Sequence, residues 1–189
     1  MLLLWIIAAI IVIVLLAFIF IYNSLIVLQR RVNNAWAQID VQLKRRADLI
    51  PNLIETVKGY ARFERKVLNE ITKARTALLK AKSPAEAAKA ESSIASALKT
   101  IFAVAESYPK LRASENFKAL QEEFATTENR IAYARQFYND SVMEYNTAIS
   151  IFPNRIVASL FGFKPREYFE LPEESRARKA VKADFSDLA

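Results

Sequence analysis

The first charge in this chain is Arg30, and the stretch from Met1 to Ile21 is uncharged and overwhelmingly apolar. At about 1.5 Å of rise per residue, such a stretch crosses a hydrocarbon core of roughly 30 Å as one helix. A cleaved signal peptide would carry a basic leader, a shorter apolar run and a small-residue cleavage site, none of which flanks Leu2 or Tyr22. A soluble core helix would set polar residues on one face, whereas this run is apolar all round. Residues 1–23 are therefore read as a retained transmembrane anchor, with the rest of the chain outside the bilayer.

Arg30, Arg31, Lys44, Arg45 and Arg46 follow the anchor closely against Asp40 alone, and basic flanks stay in the cytoplasm. The amino terminus is thus expected outside and the body inside. That body, of roughly 160 residues, falls within the usual range for one domain.

The side-chain alphabet removes much chemistry. Without histidine or cysteine the chain has no imidazole relay, thiolate nucleophile or Cys/His zinc site. The two glycines, Gly59 and Gly162, supply neither a phosphate-cradling loop nor a dinucleotide fingerprint. No cofactor or metal is expected, and no enzymatic activity. The net charge of +7 is spread along several helices, which fits solvated faces beside an anionic leaflet better than a nucleic-acid site.

Scarce glycine and proline with abundant Ala, Leu, Lys, Glu and Arg predict an all-α body. From Ser114 to Phe152, Phe117, Leu120, Phe124, Thr127, Ile131, Ala134, Tyr138, Ser141, Tyr145, Ala148 and Phe152 alternate steps of three and four, a coiled-coil-like seam. Ser83, Pro84 and Glu86 have the spacing of an N-cap, first turn and capping box. Pro51 decides the architecture, because proline in a helix interior costs about 3 kcal/mol and Asp48 stands where an N-cap would. A break near Ala47 gives an antiparallel, up-and-down four-helix bundle of residues 24–46, 49–81, 84–107 and 114–152. The alternative is three long helices, the first kinked at Pro51, which would leave the segment after the last helix far from the membrane.

These residues resemble the LemA family of bacterial membrane proteins. The likeness is carried by Tyr22-Asn23-Ser24-Leu25, by the run from Ala35 to Arg46, by Asp48-Leu49-Ile50-Pro51-Asn52-Leu53, by Val57-Lys58-Gly59-Tyr60, by Ala105-Glu106-Ser107-Tyr108-Pro109, by the run from Glu128 to Asn139 and by Tyr145-Asn146. The resemblance implies an amino-terminal anchor and a helical bundle and brings no known activity; the expected location is the inner membrane. It includes a magnetosome-associated branch, and the frequent neighbourhood of family genes with membrane metalloprotease genes hints at a membrane metalloprotease system as partner.

Trp36, Asp40, Arg46, Asn52, Arg130, Arg135, Tyr138, Asn139 and Asn146 lie on or near apolar stripes, where an unpaired charge or amide is expensive. Pairing of Asp40 or Glu128 with Arg130 or Arg135 is expected, with the asparagines capping or bridging helices. The function predicted is a non-enzymatic scaffold or adaptor for membrane-associated proteins, with homo-oligomerisation open. The alternative is a ligand-sensing or catalytic bundle built on Asp40, Arg135 and Tyr138 around a buried anion. Residues 153–171 are too apolar for a free linker, and either cap the core or meet the bilayer through Arg155, Phe161, Phe163, Lys164, Arg166 and Tyr168. The mixed-charge tail, 172–189, is expected to be disordered.

Overall fold

A computed structural model of the chain describes residues 1–60 and 65–172. Every element among them is helical: α1 (Leu2–Tyr60), α2 (Arg65–Lys80), α3 (Pro84–Ala105), α4 (Pro109–Arg112), α5 (Glu115–Ser150) and α6 (Asn154–Leu160). The expectation of disorder for the tail lies, from residue 173 onward, outside the described residues. Among the described residues one helix, α1, is long and apolar enough to cross a membrane, and its most apolar stretch has no buried residue.

The break expected near Ala47 does not occur. α1 continues through Pro51, and Asp48, placed above as an N-cap, is an exposed residue inside the helix. A proline withholds the N–H that would bond the carbonyl four residues earlier, here that of Ala47. The Arg75 guanidinium on α2 supplies the missing donor, its Nε lying 2.8 Å from the Ala47 oxygen. A charged donor on a different helix thus offsets part of the local penalty that motivated the break.

The chain forms two compact units, one of Met1–Gln42 with Arg130–Tyr168 and one of Leu43–Asn129 with the described residues from Phe169 onward. In the first unit the part of α1 that follows the apolar run meets the last part of α5. Arg31 pairs with Glu144 at 2.8 Å, and Trp36 leans on Tyr138 with ring centroids 5.6 Å apart. Numbers rise on one helix as they fall on the other, so the two run in opposite directions there. Leu25, Val32, Ala35 and Ile39 from α1 and Ile131, Tyr138, Val142 and Tyr145 from α5 are buried, at the three-four spacing of helical seams.

In the second unit Leu43, Ala47, Ile50, Leu53 and Val57 of α1, Ile71 and Leu78 of α2, Ile94, Leu98 and Ile101 of α3, and Phe117 and Phe124 of α5 are buried. Phe102 stands edge-on to Phe117 and Phe124, at 5.9 and 6.0 Å. The small inner face of α3 (Ala87, Ala88, Ala90, Ala97) is buried too. Its start follows the spacing read above: the Ser83 hydroxyl accepts from the Glu86 N–H at 3.2 Å, while the Glu86 carboxylate accepts from the Lys82 N–H at 2.8 Å. The seam expected along α5 is buried at Phe117, Phe124, Thr127, Ile131, Tyr138, Ser141 and Tyr145. Phe152, assigned to that seam, is instead 82% exposed, because α5 ends at Ser150 and the chain turns before reaching it.

Candidate functional site

Three polar or mixed arrangements stand out, one in the second unit and two in the first. In the second unit Arg46 points into the protein from α1 and donates to Glu91 of α3 and to Glu128 of α5. Arg46 and Glu91 are buried, and Glu128 reaches in from a largely exposed position. Burial pushes the Glu91 carboxyl up from its ordinary 4.5; Arg46 pulls it down and Glu128 pushes it further up, but desolvation is the largest influence. Arg46 Nε and Glu91 Oε2 are buried without a hydrogen-bond partner. Removing one member of such a cluster would leave an uncompensated buried charge. Glu128 was expected to pair with Arg130 or Arg135. Its partner is Arg46; Arg130 lies two residues further along α5, a spacing that turns its side chain away from that of Glu128. Alongside it Arg45 pairs with Glu123 at the surface, at 2.9 Å.

In the first unit α5 grips the chain that follows α6. Gly162, at φ +70°, takes the left-handed conformation that ends α6. The Phe163 N–H reaches the Ala158 carbonyl at 2.9 Å and the Gly162 N–H that of Ser159 at 3.4 Å, so the exit is a Schellman turn. Beyond it the Tyr145 hydroxyl donates to the Lys164 carbonyl at 3.1 Å and the Tyr138 hydroxyl to the Glu167 carbonyl at 2.8 Å. Asn146 bridges both ways, Nδ2 donating to the Arg166 carbonyl at 2.9 Å and Oδ1 accepting from the Arg166 N–H at 2.8 Å. Burial, partly offset by Arg166, pushes the Tyr138 hydroxyl up to about 12 and raises Tyr145 as well, so both remain donors at neutral pH. Phe161 and Phe163 reach Tyr22 of α1, at 4.7 and 5.9 Å between ring centroids. A continuous helix through Pro51 was expected to leave this segment far from the anchor. It sits beside the end of the anchor instead, because α5 runs back along α1.

The third arrangement is an open groove of about 570 Å³ along α1 and α5 in the first unit, lined by Ala37, Gln38, Val41, Gln42, Arg130, Tyr133, Ala134 and Phe137. Val41 and Tyr133 are 59% and 75% exposed, and Gln42 Oε1 is buried without a hydrogen-bond partner.

Of the residues singled out from sequence, Arg46 is in the charge cluster, Arg130 lines the groove, and Tyr138 and Asn146 hold the segment after α6. Trp36, Asp40, Arg135 and Asn139 are half-buried in the first unit, and Asn52 is exposed on α1. Arg155, Phe161, Lys164, Arg166 and Tyr168 are exposed, and Phe163 is half-buried. Glu91, Val41, Tyr133 and Phe137 escaped the sequence reading of the site. A glutamate on the inner face of an alanine-rich helix marked the first, and large apolar residues off the α5 seam marked the last two.

The LemA family model matches residues 35–185. A protein named magnetosome protein MamQ 1, from Paramagnetospirillum magneticum, is 23% identical over 175 residues, 79% of this chain and 64% of that protein. Magnetosome protein MamQ from Magnetospirillum gryphiswaldense is 24% identical over 180 residues, 78% of this chain and 64% of that protein. Protein LemA from Metamycoplasma hominis is 29% identical over 170 residues, 88% of this chain and 74% of that protein. The chain therefore spans just under two thirds of the length of the MamQ relatives.

Proposed function

Because this chain belongs to the LemA family, we propose that it is a non-enzymatic, single-pass membrane protein whose helical body is a scaffold for membrane-associated protein partners. The observation that carries this reading is the groove of the first unit. Val41, Tyr133 and Phe137 are large apolar groups left open to solvent on a surface built by two long, packed helices. The chemistry of the groove fits an amphipathic helix of a partner, with apolar anchors for Val41 and Tyr133, an acidic group for the exposed Arg130 and a donor for Gln42 Oε1. A membrane metalloprotease component is the first partner to test.

The body in this reading includes a four-helix up-and-down bundle drawn from α1 beyond Leu43, α2, α3 and the first half of α5. Short connections between helices favour antiparallel neighbours, and Arg46 with Glu91 and Glu128 fixes the choice of partners. The body faces the cytoplasm of a bacterial inner membrane, an orientation supported by the basic residues from Arg30 to Arg46. Protease added to right-side-out vesicles then leaves the body intact; its digestion there would reverse the orientation. The ligand-sensing alternative draws no support from Tyr138, whose hydroxyl is engaged by the Glu167 carbonyl.

The scaffold is tested by placing a photo-crosslinking amino acid at Tyr133 of the full chain in host membranes, with the exposed Lys110 as the control position. A discrete adduct with a membrane-associated protein at Tyr133, absent at Lys110 and lost when Val41→Arg fills the groove, is the expected result. An adduct of two copies of the chain would replace the scaffold with a homo-oligomer, and no adduct at all would remove it.

A further inference from the structure

We infer that α6 and its flanks form an interfacial foot that seats the body on an anionic lipid leaflet where the anchor leaves the bilayer. The inference rests on the single-pass reading above and adds a second membrane contact to it.

α6 has two faces. Val157 and Ala158 are buried, whereas Ile156 and Leu160 are 53% and 69% exposed. Ile151, Phe152 and Phe161 extend the open face at 50%, 82% and 54% exposure. Apolar side chains of this size are buried along most of the seams of the same unit, yet here five of them stand open within eleven residues. Arg155, Lys164 and Arg166 are exposed among them, against the single acidic Glu167 between residues 151 and 168. Open aromatic and aliphatic groups mixed with basic ones have the composition of surfaces that lie in the headgroup layer.

Position chooses the occupant. Tyr22 is the residue that directly follows the apolar run, and Phe161 touches it at 4.7 Å. The apolar run that ends at Ile21 is long enough, at about 30 Å of helix, to cross a hydrocarbon core, and Tyr22 stands just past its end. Whatever meets Leu160 and Phe161 therefore meets them at headgroup depth. The foot is also held firmly: the Tyr138, Tyr145 and Asn146 side chains fix the backbone of Lys164, Arg166 and Glu167. Its apolar face is presented by hydrogen bonds to α5 and does not depend on lipid to form.

The natural chain has no cysteine, so single cysteines carrying a nitroxide report depth in the full-length protein reconstituted in phosphatidylcholine–phosphatidylglycerol vesicles. Labels go at Ile156 and Leu160, at Phe20 in the anchor, and at Met143, which is 56% exposed on α5. Collisions with a water-soluble nickel chelate should be several-fold rarer at Ile156 and Leu160 than at Met143, and collisions with oxygen more frequent. Omitting phosphatidylglycerol, or introducing Arg155→Gln with Lys164→Gln, should raise nickel collisions at Leu160 and leave Phe20 unchanged. Nickel access at Ile156 and Leu160 equal to Met143, with Phe20 protected, would overturn the foot and leave the anchor standing. Access at Phe20 itself would overturn both. Protection from nickel and oxygen together, with dipolar broadening, would assign the face to a second copy of the chain. Protection indifferent to phosphatidylglycerol and to the two substitutions would overturn the anionic leaflet.

Discussion

The two units solve one problem, polar groups held among apolar seams, with different chemistry. The second unit buries charge: Arg46 and Glu91 are buried together, and Glu128 reaches Arg46 from the surface. In the first unit the segment after α6 is held by neutral groups, with Tyr138, Tyr145 and Asn146 reaching the main chain of residues 164–167. A buried ion cluster discriminates strongly among helix partners, because losing one member leaves a desolvated charge behind. Neutral donors aimed at carbonyls discriminate less and lose only their own bonds. The first device suits a choice among several helices, and the second suits fastening one strip of chain to a surface already built.

The sharpest way to break this contrast is Arg46→Met, which strips Glu91 of its partner. It should cost about 3–5 kcal/mol, the range for breaking a buried ion pair, read as a fall in the denaturation midpoint of the detergent-solubilised chain. A loss below about 1 kcal/mol would mean that the cluster is a surface pair in effect.

Apolar packing should not distinguish the units. Phe124→Ala in the second and Ile131→Ala in the first each remove a buried seam residue, and each should cost about 2–5 kcal/mol, against a few tenths for the exposed Tyr133→Ala. Unchanged midpoints in both buried variants would dissolve the seam.

Next in size is the bond that accommodates Pro51. Arg75→Met should cost about 1.5–3 kcal/mol, since the lost bond has a charged donor and leaves a carbonyl unsatisfied. Pro51→Ala restores the N–H to the Ala47 carbonyl, so the same Arg75 substitution should cost less in that background. Equal costs in both backgrounds would show that Arg75 does not compensate for the proline.

Asn146→Ala should cost about 1 kcal/mol, because its two bonds to Arg166 lie at an exposed site. Amide hydrogen exchange should rise at Arg166 while the Phe124 region is unaffected; a rise spread over both units would deny the local role.

The last effects are in pH, and they separate the units by the window in which stability is lost as pH rises. Glu91 has a raised folded value, so the stability it adds is complete below its ordinary 4.5 and is lost as pH rises through that raised value. The difference between wild type and Glu91→Gln should therefore shift against wild type from pH 4.5 upward. Tyr138 is raised from 10 to about 12, so its share is complete below pH 10 and is lost as pH rises toward 12, a slope that Tyr138→Phe should flatten. A common acid-side slope in both variants would erase the distinction.

Much was legible from local pattern. The three-four spacing of α5 marked Phe117, Phe124, Ile131, Tyr138 and Tyr145 as core, since a helix can bury only one stripe at a time. The Ser83-Pro84-Glu86 spacing placed the start of α3, since capping is satisfied within a single turn. The charge-free opening of α1 marked a span by length and composition alone. Arg46 was singled out near an apolar stripe, but not its partners, because Glu91 and Glu128 are 45 and 82 residues away in sequence.

What the sequence determined by itself was periodic: which residues are helical, which stripe of each helix is apolar, and where a bilayer-length run lies. The tertiary structure alone decided whether Pro51 ends a helix, because the answer depends on Arg75, a donor 28 residues from the carbonyl it serves. It alone decided which carboxylates meet Arg46, and where α6 rests, through Tyr22 and Phe161 being brought together across 139 residues of chain. Local rules fix what a segment costs on its own; whether a distant group offsets that cost is settled only when the chain packs.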